Sequence, residues 1–384
     1  MLKKTVLIIC AIGITLATIV IVWYLNPTTT MLSTNREQIP NTTKQIQTEI
    51  IATWLQVPRT IIFTEPNRIL IAERNGNIRQ IINWVLQATP LMSIANISSS
   101  SEEWLMGMAI DPNYTANKKI YICYAYMDDN TMFARVSELI DAWNKITNEK
   151  IVLDKLPAAP NHAWCALAFG PDDKLYITVG DALEWEKAQY PDYFNGKVLR
   201  INTDWSNPTD NPYPRSTVRS IGHRNSQGIW RDSKGNMYAS EHGPSVFDGQ
   251  PGGDEINRII PKGNYGRNKI SHEQSETWFI SPLAIYTPAI APGSLHIYKG
   301  SMFPERKDTI LIGMLKWQWL LRMQIDPKNA DSVIQQEKII DDQFGRVRYV
   351  TEWPDGSIYI STSNTDGRWN IQDGDDKIIR IYKK

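Results

Sequence analysis

Residues 166–179 read Ala-Leu-Ala-Phe-Gly-Pro-Asp-Asp-Lys-Leu-Tyr-Ile-Thr-Val. A short apolar strand, a turn on Pro171-Asp-Asp-Lys174 and a second strand of aromatic and β-branched residues follow one another. This unit recurs down the chain. Its second strand returns as Ile69-Leu-Ile-Ala-Glu73, Ile120-Tyr-Ile-Cys-Tyr124, Met237-Tyr-Ala-Ser-Glu241, Ile310-Leu-Ile-Gly-Met314 and Ile358-Tyr-Ile-Ser-Thr362. With Leu175–Val179 in its place, the six starts lie 51, 55, 62, 73 and 48 residues apart. A turn precedes most of them, as at Glu65-Pro-Asn-Arg68, Asp232-Ser-Lys-Gly235 and Pro354-Asp-Gly356. Repeats of this period without sustained helical periodicity predict an all-β, six-bladed β-propeller over 46–384.

The ends of the chain predict how the ring closes. Ile46–Trp54 reads as a strand with no partner in the first unit, and the chain ends on Lys377–Lys384. Pairing the two in the last blade hides edges that an open ring exposes. The stretch 132–150, around Val136–Trp143, fits either a helix or an outer strand.

Ahead of the propeller, Lys3 and Lys4 precede an uncharged, mostly apolar run of twenty-one residues, Thr5–Leu25. That is about the ~20 residues a membrane-spanning helix needs, and longer than the roughly 7–15 of a signal-peptide core. Residues 1–25 are therefore expected to be a transmembrane helix with its lysines in the cytoplasm and the rest outside, a cleaved signal peptide being the alternative. Residues 26–45, rich in Thr and Asn, read as a flexible linker.

Composition narrows the partners. Forty-one acidic against forty-one basic residues leave no basic excess for a nucleic-acid partner. Cys10, Cys123 and Cys165 are too few and scattered for a disulfide framework. Cys123 and Cys165 fall in adjoining blades and could pair; two buried free thiols are the expectation.

In a propeller, loops leaving the same end of each blade converge on the central channel. The loops after the repeated strands carry Gly180-Asp181, Glu241-His242-Gly243-Pro244, Lys316 and Ser363-Asn364. Residues 219–244 add a turn dense in polar groups, His223, Arg224, Asn225 and Gln227, and just before strands come Asn161-His162 and Gly345-Arg346-Val347-Arg348. Alternation along a strand aims Arg346 and Arg348 the same way, and two guanidinium forks suit carboxylates. Alone, this pair also fits a solvent-facing strand. Joined by Arg224 and Lys316, it predicts a basic pocket in a neutral protein. Zinc, Rossmann and nucleophile-elbow motifs are all missing.

Several stretches together resemble the quinoprotein sugar dehydrogenases, the glucose/sorbosone dehydrogenase family. They are Leu167–Asp181, Gly196-Lys-Val-Leu-Arg-Ile-Asn202 with Asp210-Asn-Pro-Tyr213, Gly222-His-Arg-Asn-Ser-Gln-Gly228, Ser240-Glu-His-Gly-Pro244, Gly253-Asp-Glu-Ile-Asn257 with Asn264-Tyr-Gly266, and Leu315-Lys316. The resemblance runs in order over 46–384. It implies pyrroloquinoline quinone and Ca²⁺ near the channel mouth, an aldose substrate and an external electron acceptor. It casts His162 as general base for the anomeric hydroxyl, with Asp181 orienting it or touching substrate. Arg224 and Asn225 would face the quinone oxygens, and Lys316, Arg346 and Arg348 the cofactor carboxylates. Carbonyls of Gly243 and Pro244 would ligate Ca²⁺, while Glu255 and Tyr265 match positions that hold a second Ca²⁺ in some members.

This chain departs from the family pattern at three places. An arginine usual after the histidine is missing from Ala163-Trp164-Cys165-Ala166, Trp317 follows Lys316 where glycine is common, and Ser363 stands where aspartate is common. The leading expectation is a membrane-tethered, quinone-dependent aldose dehydrogenase on the extracytoplasmic side. A propeller that has lost the cofactor and binds carbohydrate or protein is the alternative, for which Trp164 and Trp317 would plug the pocket. A hydrolase using Asp181 and Glu241 is a third reading.

Overall fold

Each repeated strand is the second member of an antiparallel sheet, and its neighbours explain its composition. In the computed structural model, which describes residues 32–33, 39–41, 46–95, 97 and 104–383, Arg68–Glu73, Leu175–Val179, Met237–Glu241, Ile310–Met314 and Ile358–Thr362 are buried along their whole length. A sheet covered on both faces asks for apolar residues at every position, not at alternate ones. Six sheets stand side by side, and their innermost strands touch in sequence around a closed ring. These strands are Pro58–Glu65, Leu105–Ile110, Leu167–Phe169, Ser226–Arg231, Pro292–Ile297 and Val347–Glu352. Six apolar clusters fill the six gaps between neighbouring blades among the described residues. The predicted six-bladed propeller is the observed fold.

Ring closure follows the expectation. Gln47–Ala52 pairs antiparallel with Ile378–Tyr382, so the sixth blade takes its outer strand from the start of the domain. The 132–150 stretch is strand: Thr131–Asp141 turns back into Ile146–Pro157 as a long hairpin. The predicted membrane helix lies outside the described residues, and among those no helix is long and apolar enough to cross a membrane. Within 26–45, Leu32–Ser33 adds a parallel strand to Ala284–Tyr286, Ile39 is buried, and Lys338 N donates to Pro40 O at 2.8 Å. The described part of the linker is thus docked on the fourth and fifth blades.

One irregularity repeats around the ring. In five of the six innermost strands, among the described residues, pairing slips at the second residue: Arg59, Met106, Gln227, Gly293 and Arg348. A residue squeezed into a strand this way is left out of the ladder and its side chain is re-aimed. Arg59, Gln227 and Arg348 use that freedom to reach the channel.

The expected free thiols are corrected. Cys123 and Cys165 form a disulfide between the second and third blades, with their Cα atoms 6.1 Å apart. Gly107, paired with Cys123 in the sheet, makes this possible: a Cβ there would lie 2.5 Å from Cys165 O. Without a side chain at 107, the 163–167 segment lies flat on the neighbouring sheet. Closing a loop of 42 residues is expected to contribute roughly 2–4 kcal/mol. Urea unfolding of a Cys123→Ala/Cys165→Ala variant should show that loss, and reductant should lower the wild-type midpoint the same way.

Candidate active site

His162 lies in the segment leading into the third blade, with its backbone in the left-handed region at φ 57°. Gly180, just past Leu175–Val179, accepts it there. A Cβ on Gly180 would stand 1.9 Å from His162 O, so only glycine permits the approach. Ala182 N donates to the same carbonyl at 3.1 Å. Asp181, between these two anchors, meets His162 Nδ1 with its Oδ1 at 2.8 Å, and both side chains are buried. Burial works to raise the Asp181 pKa, but the hydrogen bond and charge of His162, with Arg267, hold it below the usual carboxylate value. An ionised Asp181 needs the hydrogen on Nδ1, which leaves the lone pair of a neutral ring on Nε2.

From Asp181 a chain of charges runs on through the fourth blade. Arg267 Nε donates to Asp181 Oδ2 at 2.6 Å, and Arg267 Nη2 to Asp248 Oδ2 at 2.8 Å. Arg224 Nε reaches that same oxygen at 2.8 Å, and its Nη1 donates to His242 O at 3.1 Å. Burial opposes ionisation of Asp248, yet Arg224 outweighs it and holds the carboxyl down at about 2.

These groups border a cavity of about 700 Å³. His162, Arg224 and Asn225 line it, as do Lys316, Arg346 and Arg348, and Gly243 and Pro244 complete the predicted set. Four blades and the loops between them therefore bring the predicted residues together. Asp181 does not line the cavity; it stands behind His162, which assigns it the orienting role. Glu255 and Tyr265 line a second cavity of about 210 Å³, bordered on its shared wall by Gly243 and Pro244. Burial, then the neighbouring Glu241 carboxylate, pushes Glu255 up to about 8. The Tyr265 phenol is committed to Arg258 O and Ile260 N, so only its carbonyl could serve a metal. Among the described residues no group of three acidic, His or Cys side chains is spaced to hold a metal.

The two indoles part company. Trp317 packs away from the cavity, edge-on to Tyr286 and Trp319 in the core between the fourth and fifth blades. Trp164 does line the cavity, with the Arg59 and Arg348 guanidiniums 4.5 and 5.2 Å from its ring centre. It leaves the cavity open. The carboxylate expected near Ser363 arrives from Asp366, which accepts from Arg346 Nη2 and from Ser363 Oγ, both at 2.9 Å.

Sequence reasoning missed Arg59, Arg74, Asp366 and Arg368 on the cavity wall, and Asp248 and Arg267 behind it. Arg59 had a signal: it is the second residue of its innermost strand, as Arg348 is of its own. The hydrolase reading fails. Glu241 is spent on His223 Nδ1, Ser226 Oγ and Arg224 N, and Asp181 on His162 and Arg267.

A family model for glucose/sorbosone dehydrogenases matches residues 55–378. The chain belongs to this family. An uncharacterised protein of Synechocystis is 30% identical over 78% of this chain and 80% of its own length. The aldose sugar dehydrogenase YliI of Escherichia coli is 26% identical, covering 84% of this chain and 91% of that protein. The PQQ-bound aldose sugar dehydrogenase of Streptomyces coelicolor superposes with a TM-score of 0.77 at 25% identity, over 90% of this chain and all of that one (100%). Members with these names are oxidoreductases acting on sugars, and the present chain shares their propeller.

Asp248 supports two buried arginines at once. Replacing it with Asn should destabilise the fold by about 3 kcal/mol at pH 7, read from urea unfolding. Its folded pKa lies below the unfolded value of about 3.9, so the ion-pair contribution is complete above that and fades toward about 2. The gap between wild type and variant should narrow as pH falls below about 4.

Proposed function

We propose that this chain oxidises an aldose at its anomeric carbon, with pyrroloquinoline quinone and Ca²⁺ as cofactors and an external electron acceptor. The observation that carries it is His162, backed by Asp181, on the wall of a cavity ringed by cations in a family of sugar dehydrogenases.

The donor set suits a tricarboxylate quinone. Arg59, Arg74, Arg224, Lys316, Arg346 and Arg348 face the cavity against Asp254 and Asp366 on the same wall. Its volume of about 700 Å³ sits in the range of small-molecule sites, roughly 300–1,000 Å³. Lys316, Arg346 and Arg348 would hold the carboxylates. When bound, the quinone supplies a carbonyl that accepts hydride. Gly243 and Pro244 would offer carbonyl oxygens for Ca²⁺, and the Glu255 carboxylate with the Tyr265 carbonyl would offer oxygens for a second ion, chemistry that a hard cation takes. Burial, then the Glu241 charge, holds the Glu255 pKa up at about 8, and a cation bound beside it would bring it down.

His162 Nε2 takes the proton of the anomeric hydroxyl as C1 gives up its hydrogen with the bonding pair, leaving the lactone. Asp181 keeps Nε2 as the accepting nitrogen and stabilises the imidazolium. Arg224 and Asn225 present donors where negative charge develops, though Asp248 already balances the Arg224 charge, so its contribution is directional more than net.

The disulfide supports an extracytoplasmic location, since such bonds persist in oxidising compartments. Tethering by residues 1–25 agrees with that location. The non-catalytic alternative loses one of its two supports, because Trp317 does not face the cavity.

Purified protein should reduce a redox dye with aldoses only when the quinone and Ca²⁺ are both supplied. His162→Ala should cut kcat by at least ~10² while the quinone still titrates in. Arg346→Ala should instead weaken quinone binding, by roughly tenfold or more, and a wild-type-like titration would place it outside the site.

A further inference from the structure

Between Glu241–Pro244 and Gly252–Glu255 the chain detours through Ser245-Val-Phe-Asp-Gly-Gln-Pro251. Connecting turns usually carry polar tips. This one carries an apolar tip, with Val246 86% and Phe247 58% exposed. Both line the cavity that holds His162. The Phe247 ring stands 5.6 Å from the His162 imidazole, centre to centre, with the planes 33° apart.

The next residue does the opposite. Asp248 is buried and accepts from Arg224, from Arg267 and from Ser245 N at 2.7 Å. The loop is therefore pinned by ion pairs one residue away from its apolar tip. Arg267 also holds Asp181, so a single guanidinium sets the place of the lip and the orientation of the base. An apolar ring kept in water is unfavourable until a ligand covers it. A sugar in ring form has the matching surface: a face of C–H bonds, rimmed by hydroxyls. Aromatic rings beside polar groups recognise that surface.

We propose that Phe247 is the stacking wall of the substrate site, holding the C–H face of a ring-form aldose as its anomeric hydroxyl meets His162. The role rests on the dehydrogenase reading and names its substrate class: pyranoses in preference to short open-chain aldoses. Asp248, Arg224 and Arg267 position the wall and do not touch the sugar face.

The test compares Phe247→Ala and Phe247→Tyr with wild type, each loaded with the quinone and Ca²⁺. Binding of 1-deoxyglucopyranose, which keeps the ring face but lacks the hydroxyl to be oxidised, is read by saturation-transfer NMR. Its Kd should rise roughly tenfold in Phe247→Ala and stay near wild type in Phe247→Tyr, the order that one aromatic face is worth. KM for glucose should follow Kd with kcat changed less than about threefold, and glyceraldehyde, whose hydrate carries a C1 hydroxyl but no ring face, should be oxidised alike by all three. Unchanged sugar affinity in Phe247→Ala, or an equal loss with glyceraldehyde, overturns the proposal. An active wild type with an indifferent Phe247 sinks the wall alone. A loaded wild type that oxidises no aldose sinks the dehydrogenase reading and the wall with it. Matching unfolding midpoints establish that the variants are folded.

Discussion

A slip of one residue in the innermost strand is what allows this propeller to have a site. Regular strands lining the channel would send alternate side chains into the two adjoining blade interfaces, where only apolar groups are tolerated. At Arg59, Gln227 and Arg348 the extra residue escapes the ladder and turns to the axis. At Gly293 the same slip occurs with no side chain, because a Cβ would lie 2.5 Å from Arg348 O. One blade yields its side chain so that the next can place an arginine. Cations gathered this way must be compensated, since an unpaired buried charge costs several kcal/mol. Asp366 answers Arg346, Asp248 answers Arg224 and Arg267, and Arg348 donates to Gln227 Oε1 at 2.8 Å.

This separation explains what the chain discloses before it folds. The repeated strands are legible because burial on both faces leaves a continuous apolar signature at fixed intervals. The closing strand is legible because it lacks a local partner. His162, Arg224, Asn225 and Lys316 stand at strand ends, where convergence follows from topology alone. Arg346 and Arg348 were expected to share a direction through strand alternation. They do share the cavity, for another reason: Arg346 precedes the strand, and Arg348 is the slipped residue within it. The compensating groups are different. Arg267 meets Asp181 across 86 positions and Asp248 across 19, and nothing local marks either encounter. The disulfide is hidden for a like reason, since it depends on the bare backbone of Gly107.

The indoles show one residue type taking opposite roles in neighbouring parts of the ring. Trp317 and Trp319 both belong to the core between the fourth and fifth blades and meet edge to face at 5.0 Å, which spends them on packing. Trp164 is as buried but lies beneath two guanidiniums. Its ring quadrupole stabilises cations that have lost water, and that attraction grows where solvent is excluded. An indole between arginines makes a flat, electrostatically held floor. The cation expected just after His162 is thus supplied by Arg59 from the first blade, and Trp164 is the surface it rests on.

The last consequence concerns the wall that the two cavities share. The larger cavity gathers Arg59, Arg74, Lys316, Arg346 and Arg348; the smaller sets Arg267 and Lys269 beside Glu241 and Glu255, where burial and then the Glu241 charge make Glu255 resist ionisation. Arg224, His242, Gly243 and Pro244 border both. Gly243 could carry no side chain, because its Cβ would fall 2.1 Å from Gly252 O and 2.3 Å from Gly253 O. Backbone is therefore packed on backbone at this wall. For the quinone and Ca²⁺ proposed above, neutral carbonyl oxygen would be a ligand that repels neither at the cost of a full charge. Gly243 N is spent on Asp254 Oδ1 at 2.8 Å and Pro244 has no N–H, so neither residue turns a backbone donor on the two cavities.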